Sequence, residues 1–464
     1  MKITQKVGII LAAVILGGTF FIPTTQTFSP EARSTMAIVL VVIILLVTEA
    51  IPIGITCMMG MAMLVALGAV PSMGVALSGF ANPILFFVLV SFGISAALVK
   101  TPLSKRILVL VARKFGQSSR RLLFAIMFSA CLISFVISSV AAVAVFIPVV
   151  LNFLNVYNTE EERRSTGKCF MMALPIATMI GGMMTPASSS INMIAISMLE
   201  EHTGLTIRFI DWMCFSAPVI LVMLPFAWFI CWTIYPPADV NQQKIKDYIS
   251  SIEIDSKLSG QEIYVLAVIF SIVLFWILSS WFPIFNITLV GLLGLMFFFI
   301  PSKEVLTWRE FVSSVSWEVY ILIGAMISLG AAVSSSGLSI WVATMIFPNQ
   351  LNLPLFLLVA FVASITFMLL LPIPVAPALV TMLAPPLMMF AESVGVSPYF
   401  FVLVLALTAT QCYFFPLDAV PLMTFSKGYY KMFDLPKVAI PIQLLFTVAI
   451  SIWLPVMGKV LGVI

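Results

Sequence analysis

A chain of 464 residues with 62% hydrophobic and only 9% charged side chains does not fold as an ordinary soluble domain. Its apolar runs are continuous rather than alternating, which excludes a β-barrel and leaves a polytopic, all-α membrane protein. A formal net charge of +4 points to no nucleic acid or other polyanionic partner, so the positions of the charges matter more than their sum.

Lys2 and Lys6 precede a first apolar run at about 7–23. The IPTTQTFSP that follows has no small-x-small cleavage site, so this run reads as a retained helix rather than a signal peptide. Further runs fall at roughly 36–53, 55–70, 83–99, 169–198, 213–235, 261–281, 287–300, 317–334, 400–425 and 435–457, giving about eleven spans of the ~30 Å hydrocarbon layer. Two others, 121–157 and 354–393, are each two half-spans with a break in the middle, and they read as re-entrant hairpins. After Lys100, TPLSKRILVLVARKFGQSSRR keeps apolar residues at helical spacing with basic residues opposite, as a helix lying on the cytoplasmic surface does. SKEVLTWREF (302–311) looks like a shorter counterpart.

The positive-inside rule fits this path. With a cytoplasmic N-terminus, 20 of the 23 basic residues lie inside, and only Arg33, Arg208 and Lys459 lie outside. The rule accepts the hairpins equally as full crossings. The sole sizeable polar linker divides the chain nearly in half. Across it, VLVSFGISAALVKTPLSK echoes IGAMISLGAAVSSSGLSI at an offset of 235, and a broken hairpin follows each. The expected organisation is an N-terminal helix and outer loop (1–33), a first repeat with an inward-opening hairpin (34–236), a cytoplasmic linker (237–260) and a second repeat with an outward-opening hairpin (261–464). An odd number of spans per half makes the repeats inverted, as in many secondary transporters.

Non-helical backbone at membrane depth survives only where protein or a water-filled cavity satisfies it, so the breaks are the candidate site. In the first half, ISSVAAVAVFIP (137–148) carries the hairpin tip at Ser138 and Ser139. GGMMTPASSSIN (181–192) adds Gly181, Gly182 and Pro186 to disrupt a helix, then Thr185, Ser188, Ser189, Ser190 and Asn192. Hydroxyls, an amide and an unwound N-terminus suit an anion without burying a cation. Small polar residues also ease helix packing, but seven such residues beside a broken hairpin favour a binding site.

The second half differs. LPIPVAPALVTMLAP (371–385) has Pro372, Pro374 and Pro377 at its tip and no hydroxyl until Thr381. The later TQCYFFPLDAVPLMTFSKG places Asp418 between Pro416 and Pro421. A carboxylate at that depth is expected to carry a proton, hold a cation or meet a substrate ammonium, unless it pairs with Lys427 or Lys431. Glu49, in VTEAIP, reads as a helix-end or ion-pair residue, and Glu318 as interfacial. His202, the only histidine, falls in a polar loop, and Cys57, Cys131, Cys169, Cys214, Cys231 and Cys412 are spaced singly. With no histidine base, metal spacing or nucleophile–base pair, the chain is not expected to be an enzyme and requires no cofactor.

These residues resemble the divalent anion/sodium symporter family, which carries di- and tricarboxylates or sulfate. TEAIP (48–52) looks like its early signature, ISSVAAVAVFIP occupies its Ser-Asn-Thr hairpin tip, GGMMTPASSSIN matches its Gly-Gly to Pro-Asn stretch, and KGYYKMFDLPKVAIPI resembles its late element. The resemblance spans nearly the whole chain. It implies inverted repeats after a first helix, a homodimer in the cell membrane and elevator-type movement of a domain holding both hairpins. It also implies sodium near Ser138, Val140 and Ala376. The first tip has lost Asn and Thr, the second has lost the whole triplet, and Asp418 and Leu422 replace a Gly and an Asn. The expectation is a secondary transporter of a small anion, a di- or other carboxylate, moved by symport or exchange. Ser138, Ser139, Thr185, Ser188, Ser189, Ser190, Asn192, Pro377 and Thr381 line its substrate site. Asp418 couples transport to a cation, sodium or a proton. A cation/proton antiporter using Asp418 and an anion channel are the alternatives.

Overall fold

The computed structural model describes residues 3–463 except 26–27, 116–117, 253–254, 256, 283 and 347–352. Lys2, and Gly116 and Gln117 of the amphipathic stretch, lie outside the described residues. The described residues form helices and no strands.

Ser29 starts the first bundle helix by accepting from Ala32 N–H at 3.0 Å, with Pro30 preset for the first turn. α1 (Ile3–Thr19) packs on α2 (Pro30–Thr48), and α3 (Ile53–Ala66), α4 (Met73–Ala76) and a 3₁₀ turn (Ser78–Ala81) follow. α5 (Pro83–Lys100) leads into the amphipathic α6 (Leu103–Phe115). The first hairpin is α7 (Ser119–Ile133) with α8 (Ser139–Leu154). A broken span follows as α9 (Glu160–Gly181) and α10 (Ser190–Thr203), and α11 (Phe209–Ile234) closes the half.

After α12 (Gln242–Ser251), in the linker, the same order returns. It runs α13 (Gly260–Leu278), α14 (Ile287–Met296), α15 (Trp308–Ser314), α16 (Trp317–Ser335) and α17 (Leu338–Ile346). The second hairpin is α18 (Leu355–Leu370) with α19 (Ala376–Ser393), then comes the broken pair α20 (Pro398–Ala409) and α21 (Ala419–Phe425), and last α22 (Leu435–Val460). Helix packing is exchanged between the halves: α3 packs on α16 as α14 packs on α5, and α11 packs on its counterpart α22.

Each of the eleven apolar runs corresponds to a helix or a broken pair. α2, α5, α11, α13, α16 and α22 are long and apolar enough to cross a membrane as single helices. The run at 287–300 is shorter as a helix than expected, since α14 has 10 residues and continues only as a 3₁₀ turn. Two local expectations change. The positional counterpart of α6 is α17, which follows α16 as α6 follows α5, whereas α15 matches the α4 region. His202 sits in the last turn of α10, not in a loop, and its ring bonds Met198 O at 2.9 Å and Ser334 Oγ.

TEAIP has a local physical meaning. Glu49 ends α2 in the left-handed region at φ 46°, its carbonyl accepts from Gln5 Nε2 at 3.2 Å, and Pro52 starts α3 three residues on. Glu49 therefore serves as a helix end. At the base of α6, Arg106 forks onto Glu262 and the carbonyls of Asp255 and Lys257, tying the linker to the start of α13.

Candidate functional site

The first break begins where α7 stops and residues 134–138 turn into α8. Ser138 caps α8, accepting from Ala141 N–H at 3.3 Å. Ser139 donates to Thr178 O at 2.9 Å and meets Ser134 Oγ at 3.2 Å, locking the tip to α9. The glycine pair serves close approach more than helix breaking: α9 runs through Gly181, and a β-carbon there would lie 2.3 Å from Cys131 O.

Beyond Gly182, side chains hold the unwound backbone. Asn192, wholly buried, donates to Gly182 O and Thr185 O at 3.0 Å each, while its Oδ1 accepts from Thr410 Oγ1 at 3.0 Å. Ser188 donates to the same two carbonyls, Thr185 to Phe135 O, Trp212 to Met183 O and Ser216 to Met184 O. Gln411 Nε2 reaches Met179 O at 3.1 Å. Every carbonyl from Thr178 to Thr185 thus has a donor, those of Ile180 and Gly181 from backbone N–H groups. Buried peptide groups demand this satisfaction.

A cavity of about 510 Å³ opens beside this braced segment. It gathers Ser138, Val140, Ser188, Ser189 and Ser190, so the N-terminal ends of α8 and α10 both face it. Thr185, Asn192 and Ser139 do not line it, and their side chains brace the backbone behind it. The opposite wall comes from α5, α16 and the start of α3 through Ser91, Ser95, Glu318 and Ile53. Glu318 thus lines the cavity rather than serving only an interfacial role. Val99 and Ser314 mark one end of the cavity near the exposed Lys100–Glu310 pair (2.6 Å). At the other end of α5, Asn82 bonds Ser197 at 2.7 Å and Glu201 at 2.6 Å, joining α5 to α10 there.

The second break is built differently. Thr381 donates into its own helix, to Ala378 O at 2.9 Å and Pro377 O at 3.1 Å, and lines a separate void of about 10 Å³ with Met326 and Leu329. Pro377 and Thr381 therefore stand apart from the serine-lined cavity. Asp418 caps α21, its Oδ1 accepting from Val420 N–H at 3.2 Å, and neither Lys427 nor Lys431 pairs with it. Its neighbour Ala419 lines the cavity. Among the described residues, no side-chain donor reaches the carbonyls of the unwound segment from Cys412 to Leu417, and buried Gln411 Oε1 has no partner.

Sodium at membrane depth takes unwound carbonyls and half-helix C-terminal ends. Ser138, Val140 and Ala376 offer neither: they open α8 and α19, where Ser138 O already accepts from Ala142 N–H and free N–H groups favour an anion. The residues at those positions do not fit the ion. Gln411 Oε1 and the unbraced carbonyls after it are chemically closer to a cation's needs.

Sequence reasoning missed Ser91, Ser95, Ser314, Ser316 and Glu318. Ser91 and Ser95 are one helical turn apart in α5, but an isolated serine pair on a membrane helix is indistinguishable from a packing seam.

The sodium:sulfate symporter transmembrane region matches residues 3–464. A sodium-dependent dicarboxylate transporter, SdcS, of Staphylococcus aureus is 25% identical, covering 98% of this chain and 92% of its own length. Its namesake from Staphylococcus saprophyticus is 26% identical over 95% and 90%. Among solved structures, the YdaH transporter of Alcanivorax borkumensis shares the fold at a TM-score of 0.54 and 14% identity, covering 83% of this chain and 86% of that one.

Proposed function

The chain belongs to the sodium:sulfate symporter family, a transporter and not an enzyme, and on that premise we propose that it is a secondary active transporter of a small carboxylate. The observation that carries this reading is the cavity facing the N-terminal ends of α8 and α10, where Ser138, Ser189 and Ser190 stand beside oriented N–H groups. Such an end stabilises negative charge without a buried cation. The braced carbonyls behind it keep those N–H groups preorganised.

The two hairpins, both broken pairs, α11 and α22 form the body that moves, and α2, α3, α5, α13, α14 and α16 form the body that stays. In this arrangement the site opens toward Lys100 and Glu310, the cytoplasmic side by the positive-inside rule, while the Asn82–Glu201 contact closes the other end. The halves are inverted repeats, and the protein works as a homodimer in the cell membrane with a cytoplasmic N-terminus. Coupling belongs to the second half. Asp418 holds the coupling cation, a proton or sodium, with Gln411 Oε1 as a further unpartnered acceptor in the same break.

Counterflow in proteoliposomes tests the core of this reading. Unlabelled carboxylate trapped inside should drive transient accumulation of labelled carboxylate above its equilibrium level, at least about threefold over empty vesicles. Equilibration without overshoot would instead identify an anion channel, and no carboxylate entry at all would overturn the proposal.

A further inference from the structure

The serine-lined cavity concentrates its anion-binding chemistry at the ends of two helices. One wall carries the pair of helix ends at Ser138 and at Ser189–Ser190, and a third group faces them from α5. Ser95 is 5% exposed, lines the same cavity, and its Oγ has no hydrogen-bond partner among the described residues. A serine inside a helix ordinarily bonds the carbonyl four residues back, as Ser91 does to Phe87 O at 3.1 Å. A buried hydroxyl left over beside a cavity is a donor waiting for an acceptor.

The rest of the wall is mostly apolar, with Phe87, Phe92, Val99, Val319 and Leu322 interrupted by the hydroxyls of Ser91, Ser314 and Ser316. Among the described residues no Lys, Arg or His lines it, and its one charged residue is the acidic Glu318. Each helix end supplies an effective charge of about +0.5, so two such ends offset about one negative charge and not two. A second carboxylate would meet no cation and would face Glu318, and the neutral hydroxyls of Ser314 and Ser316 do not offset a buried unpaired charge. The second hairpin brings no compensating donors, since neither Pro377 nor Thr381 reaches the cavity.

We infer that the substrate is an acid with a single anionic group and an apolar body, rather than a short dicarboxylate. The carboxylate sits between Ser95, Ser138 and the α10 end, and the apolar body lies along Phe87, Phe92 and Leu322. This inference rests on the transport reading and narrows it.

The test uses the purified full-length protein and four probes: hexanoate, its uncharged amide hexanamide, benzenesulfonate (which stays charged and does not leak through lipid) and succinate. Calorimetric titration should show hexanoate and benzenesulfonate binding at least about tenfold more tightly than succinate, and hexanamide not binding. Benzenesulfonate should also show counterflow. Ser95→Ala should weaken hexanoate about tenfold, as expected for loss of one hydrogen bond to a charged group, with an unchanged thermal midpoint. Val319→Lys should shift preference toward succinate by about tenfold, by supplying the missing second cation.

If succinate binds as tightly as hexanoate, or hexanamide binds like the acid, the single-anion inference fails while carboxylate transport stands. If Ser95→Ala leaves hexanoate affinity unchanged, the assigned anion position is wrong. If no acid binds or exchanges, both readings fall.

Discussion

The two broken spans, 182–189 and 410–418, occupy matching places in the chain and differ in how their backbone is satisfied. In the first, Asn192, Ser188, Trp212 and Ser216 donate to the four carbonyls from Gly182 to Thr185, and Ser139 and Gln411 to those of Thr178 and Met179 in the last turn of α9. In the second, the stretch from Cys412 to Leu417 receives no side-chain donor, and Gln411 Oε1 and Asp418 are left with spare acceptor capacity. A segment whose carbonyls are held by side-chain donors is rigid; one that lacks them keeps carbonyl oxygens free for a cation. On the proposed function, a pseudo-symmetric scaffold divides labour, an anion cradle in one half and a coupling site in the other, by moving hydrogen-bond donors.

Asn192→Leu is the strongest way to break this contrast. It removes the donor to Gly182 O and Thr185 O and the acceptor for Thr410, so stability should fall by about 2–4 kcal/mol and uptake by more than about tenfold. Thermal unfolding and proteoliposome uptake check it, and near-wild-type values for both would mean the bracing is unimportant.

Asp418→Asn probes the other half. Accumulation against a gradient should drop more than about tenfold, whereas exchange of substrate for substrate should stay within about threefold, as the proposed separation of coupling from binding requires. Equal loss of both would place Asp418 in substrate binding instead.

A milder pair sharpens the anion side. Ser138→Ala removes a helix cap beside the cavity and should weaken binding about fivefold, while Thr381→Val should change it less than about twofold. Reversal of that order would relocate the substrate to the second hairpin.

The smallest effect concerns the mouth. A hydrogen bond from Lys100, followed by bonds from Thr307, lowers the Glu310 carboxyl from 4.5 to about 2. Its stabilising contribution is therefore complete above pH 4.5 and lost as pH falls from there toward 2. Glu310→Gln should flatten a slight acid sensitivity of the thermal midpoint in that window and leave pH 7 binding unchanged, as an exposed pair at the surface would.

Much of the fold was legible because a bilayer permits few solutions. Continuous apolar runs and the helix-breaking clusters within them carry the order of helices and hairpins, down to breaks beside Ser138 and Pro374. The site was half legible. Ser138 and Ser188 to Ser190 line the cavity as their crowding suggested, but Ser139, Thr185 and Asn192 turned inward to hold carbonyls. Hydroxyls and amides suit a ligand and a peptide group equally well, so the sequence alone could not sort them.

Sequence by itself determined that this chain is a helical membrane protein with two broken hairpins, because hydropathy and helix breaking are local and periodic properties. Only the tertiary structure decided which polar side chains face the cavity, which remain without a partner and which brace the backbone. That choice depends on neighbours hundreds of residues apart, such as Asn192 and Thr410, whose pairing no local pattern encodes.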